Sequence, residues 1–243
     1  MNTKIIADVC ANHLGNRQLI ECMIKTAAEI GIDYIKFQAF KANNLNKNWL
    51  DYENAYKYYK SVELKDEDYA FIMQKCKEHD IKPIFTVFHT SLVMPLYNAG
   101  VKIIKIASPD AKNLELIDKC CGLFNKVIVS TGMSTNAEIK ALQKAYDVDL
   151  LYCISKYPTD YLDIDFDKMQ LFDGFSDHTL TIEASKKAID LGMGYIERHY
   201  TLCKDLPGKD HILSSTPEEF RKLVEHRNYI EKCKLYKTRW NNG

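Results

Sequence analysis

The stretch from Gly174 to Asp210 reads GFSDHTLTIEASKKAIDLGMGYIERHYTLCKDLPGKD. It predicts a strand, a helix, a second strand and a loop. Each strand ends in a polar cluster, Ser176-Asp177-His178 in the first case and Glu197-Arg198-His199 in the second. The carboxyl ends of parallel strands meet at one edge of a sheet. We therefore expect the two histidines to face one site.

The same alternation of strand and helix extends outward over the whole chain. Apolar runs predict eight strands, at Lys4–Val9, Tyr34–Gln38, Pro83–Phe88, Lys102–Ala107, Lys126–Thr131, Leu150–Ile154, from Phe175, and Tyr195–Tyr200. Segments with helical spacing follow each of them, and the last helix starts at Pro217. Strands that are apolar on both faces favour a parallel sheet covered by helices.

Eight such units in 243 residues predict an α/β fold, a single-domain (β/α)8 TIM barrel. An open doubly wound sheet is the alternative, but no GxGxxG follows the first strand and no Walker loop occurs. We expect residues 1–233 to form the barrel and residues 234–243 a polar C-terminal tail. The connection Ala39–Lys65 is long, aromatic and polar, and includes Trp49.

Composition restricts the class of partner. Lys plus Arg and Asp plus Glu number 33 each, so nothing indicates nucleic acid or an anionic membrane as the main partner. The N-terminus has no secretory pattern and no apolar run approaches membrane-spanning length, which predicts a cytoplasmic protein. The eight cysteines form no CxxC pair, which favours reduced and mostly buried thiols over a disulfide framework.

Active sites of such barrels lie at the carboxyl ends of the strands. Two lysines there, Lys36 in YIKFQ and Lys105 in IIKIAS, lie inside apolar strands. A buried ammonium is costly without an anionic partner. Inward-pointing lysines would therefore suit a phosphate or carboxylate, whereas the alternative is that one or both point outward.

His178 and His199 are candidate ligands of a divalent transition metal, because imidazoles with carboxylates and water suit such ions. The alternative is a pair of hydrogen-bonded structural histidines. Asp8, Asp110, Glu197 and Asp210 are candidate acid–base groups, although any one alone could be a salt-bridge partner.

Several motifs, in order, resemble the sialic acid synthase (N-acetylneuraminate synthase) family. They are AxxxANHxG at Ala7–Gly15, IKFQ at Ile35–Gln38, KIASPD at Lys105–Asp110, STGM at Ser130–Met133, YPT at Tyr157–Thr159, SDHT at Ser176–Thr179, IERHYTL at Ile196–Leu202 and PGKDH at Pro207–His211. The resemblance runs from about Ile5 to Phe220. Each motif is weak alone, but the full set at matching strand ends is specific.

The resemblance implies a metal-dependent condensation of phosphoenolpyruvate with an aldose, N-acetylmannosamine or a related amino sugar, giving a 2-keto-3-deoxy sugar acid (nonulosonate) and phosphate. It implies that His178 and His199 hold the divalent metal, usually Mn²⁺, with Mg²⁺ or Co²⁺ as alternatives. It implies catalytic roles for Asp110, Glu197, Lys105 and Asp8. The implied substrate-binding residues are Lys36, Gln38, Thr86, Ser108, Ser130, Ser155, Tyr157, Ser176 and Asp210.

Departures from the family pattern bear on the acceptor. Asp8 and Asp110 stand where the family typically has Glu, and Ser155 stands where it has Asn. Typical members also add a C-terminal antifreeze-like domain that supplies an arginine to the partner's acceptor site, whereas this sequence ends at Gly243. We expect the catalytic barrel only, with a homodimer or a separate capping chain as the partner, or with Ala39–Lys65 covering the site.

Two other functions stay open from the residues. A pyruvate-dependent aldolase or lyase on the same barrel could form a Schiff base at Lys105 or Lys36. A degenerate barrel could instead act as a binding partner, although the two lysines and two histidines argue against loss of chemistry.

Overall fold

The computed structural model describes residues 2–48 and 50–241, with the side chains of 237–241 left out, so Trp49 lies outside the described residues. Eight parallel strands close into a barrel in chain order. They are β1 (Lys4–Asp8), β2 (Tyr34–Ala39), β3 (Lys82–Val87), β4 (Ile103–Ile106), β5 (Lys126–Ser130), β6 (Asp149–Cys153), β7 (Gly174–Asp177) and β8 (Tyr195–His199). The prediction of a single-domain (β/α)8 barrel is confirmed.

The helices between the strands form the outer layer. They are α1 (Arg17–Ile30), α2 (Tyr52–Ser61), α3 (Asp66–Glu78), α4 (Val93–Asn98), α5 (Leu114–Cys121), α6 (Asn136–Ala145), α7 (Phe166–Met169), α8 (Glu183–Asp190) and α9 (Pro217–Asn241). The strand bounds predicted from the sequence differ from the observed ones by no more than one residue. At α6 a capping box is present: Glu138 donates its backbone N–H to Thr135 Oγ1, and its carboxylate accepts from Thr135 N.

Two segments differ from the predictions. The connection between β2 and α3 contains the helix α2, whose residues carry no buried apolar stripe that would have marked it. Residues 234–241, predicted as a polar tail, continue the last helix, and residues 242–243 lie outside the described part. Among the described residues, no helix is long and apolar enough to cross a membrane.

Strand pairing closes the barrel with a stagger that sets which side chains share a level. Asp8 on β1 pairs with Lys36 on β2 and with His199 on β8. Side chains two residues apart on a strand point to the same face. Inward positions on all eight strands therefore form stacked layers inside the barrel.

The interior is apolar toward the amino ends of the strands. Ile6, Ile84, Ile128 and Leu151 form a buried cluster there, with Tyr34, Ile103 and Tyr195 packed against it. Gly174 lies at the corresponding position of β7, where there is no room for a side chain. An added Cβ would lie 2.6 Å from Tyr195 Cβ and 2.7 Å from a Leu151 methyl. We call this cluster, with Gly174, the apolar layer. A second, larger core lies between the strands and the surrounding helices.

Candidate active site

Each strand that contributes to the apolar layer carries a second inward residue two positions later. These residues are polar or ionisable on every strand: Asp8, Lys36, Thr86, Lys105, Ser130, Cys153, Ser176 and Glu197. We call them the polar layer. All eight are buried, and they line one cavity of about 520 Å³. The side chains inside the barrel thus change from apolar to polar or ionisable over two residues of each strand.

Lys36 is the centre of the ionic contacts in this layer. Its Nζ lies 2.9 Å from Asp8 Oδ2 and 3.2 Å from Glu197 Oε1. Burial alone would lower the pKa of Lys36, but the two carboxylates outweigh it and raise the pKa above its ordinary value. Lys36 is therefore a fixed positive charge held inside the barrel.

Lys105 has a different environment. Its Nζ donates to Ser130 Oγ at 2.5 Å and to the carbonyl of Ile106 at 3.2 Å, and it lies 3.9 Å from Glu197 Oε1. Burial lowers the pKa of Lys105; Glu197 opposes this shift, and the charge of Lys36 adds to it, so the net pKa is lowered. Both lysines lie inside the barrel, and the outward-pointing alternative is wrong.

The two carboxylates are held ionised in spite of their burial. Burial raises the pKa of Asp8, but the charges of Lys36 and His199 more than offset it, so the net pKa is lowered. Burial likewise raises the pKa of Glu197, and Lys105, Lys36 and a hydrogen bond from Ser176 lower it overall. Glu197 Oε2 and Thr86 Oγ1 are buried without a hydrogen-bond partner among the described residues. Such atoms mark a place where a ligand can bind.

The predicted histidine pair faces the same cavity. The rings of His178 and His199 are 5.5 Å apart between centroids, and the ring of Tyr157 lies 4.2 Å from that of His178. His178 Nδ1 lies 2.9 Å from the carbonyl of Ile154, which only accepts, so Nδ1 carries the hydrogen and Nε2 keeps its lone pair. Burial, followed by the charge of His199, lowers the pKa of His178 to about 4. His178 is thus a neutral imidazole at neutral pH.

These features fit a divalent metal. A neutral imidazole whose other nitrogen is held by a carbonyl is the usual form of a histidine ligand. Two imidazoles on one ion, each ~2.1 Å from it, place their ring centroids roughly 5 Å apart, close to the 5.5 Å seen here. Ligand atoms of Asp8, Cys10 and His199 also lie within 4.8 Å of one another. The cavity therefore holds nitrogen, oxygen and sulfur donors around His199.

The middle residues of the two polar clusters, Asp177 and Arg198, are not among the described residues that line the cavity. Arg198 is buried and donates to the Asp177 carboxylate and, at 2.8 Å, to both Ser215 Oγ and the Thr179 carbonyl. Asp177 also accepts from Ser185 at 2.5 Å. This network ties the ends of β7 and β8 to the following loops, so it fixes where His178 and His199 stand.

Most of the predicted site residues meet at the cavity. Those that line it are Asp8, Lys36, Gln38, Thr86, Lys105, Ser108, Ser130, Ser155, Tyr157, Ser176, His178, Glu197, His199 and Asp210. Asp110 is not among the lining residues of the described chain; it is half-buried on the turn Ser108–Asp110, where burial raises its pKa. The turn directs Ser108 toward the cavity and leaves Asp110 beside it.

Some lining residues were not predicted. Cys10 and Cys153 follow β1 and end β6, and sequence reasoning assigned them to the core as ordinary buried thiols. The inward period of two on β6 would have placed Cys153 in the polar layer. Tyr59 of α2 and Lys209 in the loop after β8 also reach the cavity, and no periodic signal in the sequence marks either of them.

Comparison with known proteins gives one consistent answer. Residues 23–238 match the NeuB family. The chain is 34% identical to the N,N'-diacetyllegionaminic acid synthase of Legionella pneumophila over 93% of this chain and 71% of that protein. It is 28% identical to the N-acetylneuraminate-9-phosphate synthase of Drosophila melanogaster over 90% of this chain and 66% of that protein.

A solved structure agrees with both. The N-acetylneuraminic acid (sialic acid) synthetase of Leptospira borgpetersenii, crystallised with citrate, superposes with a TM-score of 0.89 at 30% identity, over 96% of this chain and 85% of that chain. The resemblance seen in the motifs is confirmed, and with it the prediction that the chain is a sugar acid synthase. The chain belongs to the NeuB family.

Proposed function

We propose that this enzyme condenses phosphoenolpyruvate with an amino-sugar aldose to give a nonulosonate and inorganic phosphate. The observation that supports it best is the polar layer. Two buried lysines, two ionised carboxylates and a neutral histidine face one cavity, each held by a different strand. Such a mixed site suits an anionic substrate together with a carbonyl substrate.

The lysine side of the cavity suits phosphoenolpyruvate. Lys36 and Lys105 supply positive charge, while Thr86, Ser130 and Ser176 supply hydroxyls at the same level. Ser108 lines the cavity just above them. Lys36 is bound to Asp8 and Glu197 in the free enzyme, so an entering phosphate or carboxylate competes with them for its ammonium. These six residues are our proposed binding set for phosphoenolpyruvate.

The histidine side suits the acceptor. His178 and His199 would hold the divalent metal, for which the family resemblance favours Mn²⁺. When bound, such an ion supplies Lewis-acid polarisation of the acceptor carbonyl. Gln38, Tyr157 and Asp210 line this part of the cavity and would contact the sugar, together with Asp8.

The residues of the chain then direct the bond changes. C3 of phosphoenolpyruvate attacks the aldehyde carbon, and the C2–C3 π electrons form the new C–C bond. The C=O π electrons move to the carbonyl oxygen, which takes up a proton, and positive charge develops at C2. Glu197 accepts a proton from the water that adds to C2, since its carboxylate is ionised and one of its oxygens lacks a partner among the described residues. The C2–O bond then breaks and phosphate leaves, while Lys36 and Lys105 offset its charge. Asp110, beside the cavity, stays a candidate for a second proton transfer.

A pyruvate-dependent Schiff-base aldolase is the second candidate function. The observation that favours it is the lowered pKa of Lys105, because a neutral amine is the nucleophile in that chemistry. Borohydride trapping with pyruvate tests it directly. A covalent adduct at Lys105 would favour the aldolase, and its absence would favour the synthase.

Phosphate release from phosphoenolpyruvate tests the proposed synthase. We expect release with Mn²⁺ and one member of a panel of N-acylated aldoses, including N-acetylmannosamine, and little release without an aldose. His199→Ala and Lys105→Ala should both abolish it. If no acceptor in the panel supports phosphate release, although the protein binds both phosphoenolpyruvate and Mn²⁺, the proposal is contradicted for the isolated chain. That result would point to a separate capping chain. A homodimer and a cytoplasmic location stay predictions.

A further inference from the structure

The site around His199 contains a thiol that the proposed synthase does not use. We propose that Cys10, with Asp8 and His199, binds the metal through its sulfur, so that the site prefers Co²⁺, Zn²⁺ or Fe²⁺ over Mn²⁺ or Mg²⁺. This inference rests on the proposed function, since it concerns the metal of the same cavity. The proposed function assigns only the two histidines to the metal. The inference adds a sulfur ligand, Cys10, and with it a preference for softer ions.

Geometry brings the three side chains together. The Cys10 sulfur, one Asp8 oxygen and one His199 nitrogen all lie within 4.8 Å of one another, and Asp8 Oδ2 lies 3.9 Å from His199 Nε2. Cys10 is buried and lines the cavity, and its sulfur lies 3.6 Å from the carbonyl oxygen of Asp8. Its backbone N–H donates to Asp8 Oδ1 at 3.1 Å, which fixes the carboxylate relative to the thiol.

The backbone at Cys10 gives a second reason to assign the thiol a role. Cys10 has a φ of 51°, in the left-handed region that favours glycine. A glycine would adopt this turn without strain, whereas a cysteine there keeps a side chain at a cost in backbone energy. Non-glycine residues held in this conformation cluster at functional sites. This backbone conformation places a sulfur two residues beyond the end of β1.

Charge and ligand chemistry agree with a metal at this point. One thiolate and one carboxylate balance a divalent cation, and His199 adds a nitrogen donor. Binding breaks the S–H bond of Cys10, forms the metal–sulfur bond and releases the proton to solvent. Asp8 Oδ2 is paired with Lys36 at 2.9 Å in the free enzyme, so the ion competes with that ammonium, which becomes available to phosphoenolpyruvate. Thiolate ligands select softer ions, whereas oxygen-rich sites suit Mn²⁺ and Mg²⁺.

Titration of the purified full chain with Co²⁺ tests the sulfur ligand without any turnover. A thiolate bound to Co²⁺ gives an intense charge-transfer absorption in the near ultraviolet. We expect this band in the parent and in Cys153→Ser, a control that removes the other thiol lining the cavity. Cys10→Gly and Cys10→Ser should both lose it. Their Zn²⁺ dissociation constants should rise at least about tenfold, and their Mn²⁺ constants should change by less than about threefold.

Each outcome decides the inference. Persistence of the band in folded Cys10→Ser or Cys10→Gly, or its loss in Cys153→Ser, would overturn it. Absence of any band in a parent that binds Co²⁺ would also overturn it while leaving the synthase intact. Cys10→Gly removes the backbone strain and is expected to fold, and circular dichroism checks this. Aldose-dependent phosphate release from the parent is scored separately, so its failure would count against the proposed function alone.

Discussion

The apolar layer and the polar layer of the barrel interior are built from the same eight strands, two residues apart. On β5, Ile128 belongs to the first and Ser130 to the second; on β1, Ile6 and Asp8 do the same. Two residues along each strand thus separate side chains that pack inside the barrel from side chains that line the cavity. The comparison shows that each strand contributes both a packing residue and a cavity-lining residue, because side chains two residues apart point to the same face.

The largest expected effect concerns the apolar layer. Ile128→Ala removes buried methyl and methylene groups from a packed cluster and should lower the free energy of unfolding by about 2–5 kcal/mol. Urea unfolding measures this loss, with Ile128→Val as a milder control expected to cost about 0.5–1.5 kcal/mol. The activity per folded molecule should be kept. A large loss of that activity at full folding would mean that the layers are not separate in function.

A substitution in the polar layer should have the opposite effect, a loss of activity without a loss of stability. Lys105→Met should lower kcat/KM by about 10²–10³-fold, roughly 3–4 kcal/mol, because in the proposed reaction it removes a charge that offsets the leaving phosphate. Its melting temperature should stay the same or rise, since a buried ammonium with a lowered pKa is costly to hold. The control is Lys126→Met, an exposed lysine at the start of β5. Equal loss of activity in both variants would contradict the assignment.

A third change tests how closely the apolar layer is packed. Gly174→Ala would place a Cβ 2.6 Å from Tyr195 Cβ, so we expect a loss of about 1–3 kcal/mol in unfolding free energy. Gly122→Ala is the matched control, because its added Cβ would lie 3.6 Å from the nearest atom at a φ of −75°. Thermal unfolding of both distinguishes overpacking from a general effect of losing glycine. A Gly174→Ala protein as stable as its control would show that the layer can expand.

The smallest effect concerns a buried histidine outside both layers. His13 accepts from Gly15 N at 3.1 Å, and burial lowers its pKa to about 4 from the ordinary 6.5. The folded-state pKa is below the unfolded one, so the unfolded chain binds the extra proton first. Stability should therefore fall as pH drops from about 6.5 toward 4, by about 2 kcal/mol at pH 5.

Urea unfolding at pH 7.5 and pH 5 in the parent and in His13→Gln measures this contribution. The pH-dependent loss should be smaller in the variant by that amount. A variant with the same pH dependence as the parent would show that other groups carry the acid sensitivity.

Much of this organisation could be predicted from the sequence. Lys36 and Lys105 sit in runs that are apolar on both sides, so their burial followed from the strand pattern, and so did the shared edge of His178 and His199. Contacts made by loops could not be predicted, because they depend on how a non-periodic segment folds back. Tyr59 reaches the cavity only because α2 forms, and Lys209 only because the loop after β8 turns inward.

The cysteines show a different limit. A thiol in an apolar segment is typical of the core, whereas the alternation of side chains on β6 directs Cys153 into the cavity. Cys10 lies beyond the end of β1 with a left-handed backbone, so strand parity does not extend to it. Asp110 shows the reverse case, since a turn of three residues moves it from the predicted strand end to the side of the cavity.

The central claim is that the polar layer joins phosphoenolpyruvate to an aldose with cleavage of the C2–O bond. Phosphoenolpyruvate labelled with ¹⁸O in the oxygen that bridges C2 and phosphorus tests it in one reaction, read by mass spectrometry. We expect one labelled phosphate for each sugar acid formed, with no label in the acid. Unlabelled phosphate with label in the sugar acid would mean cleavage at phosphorus and would contradict it.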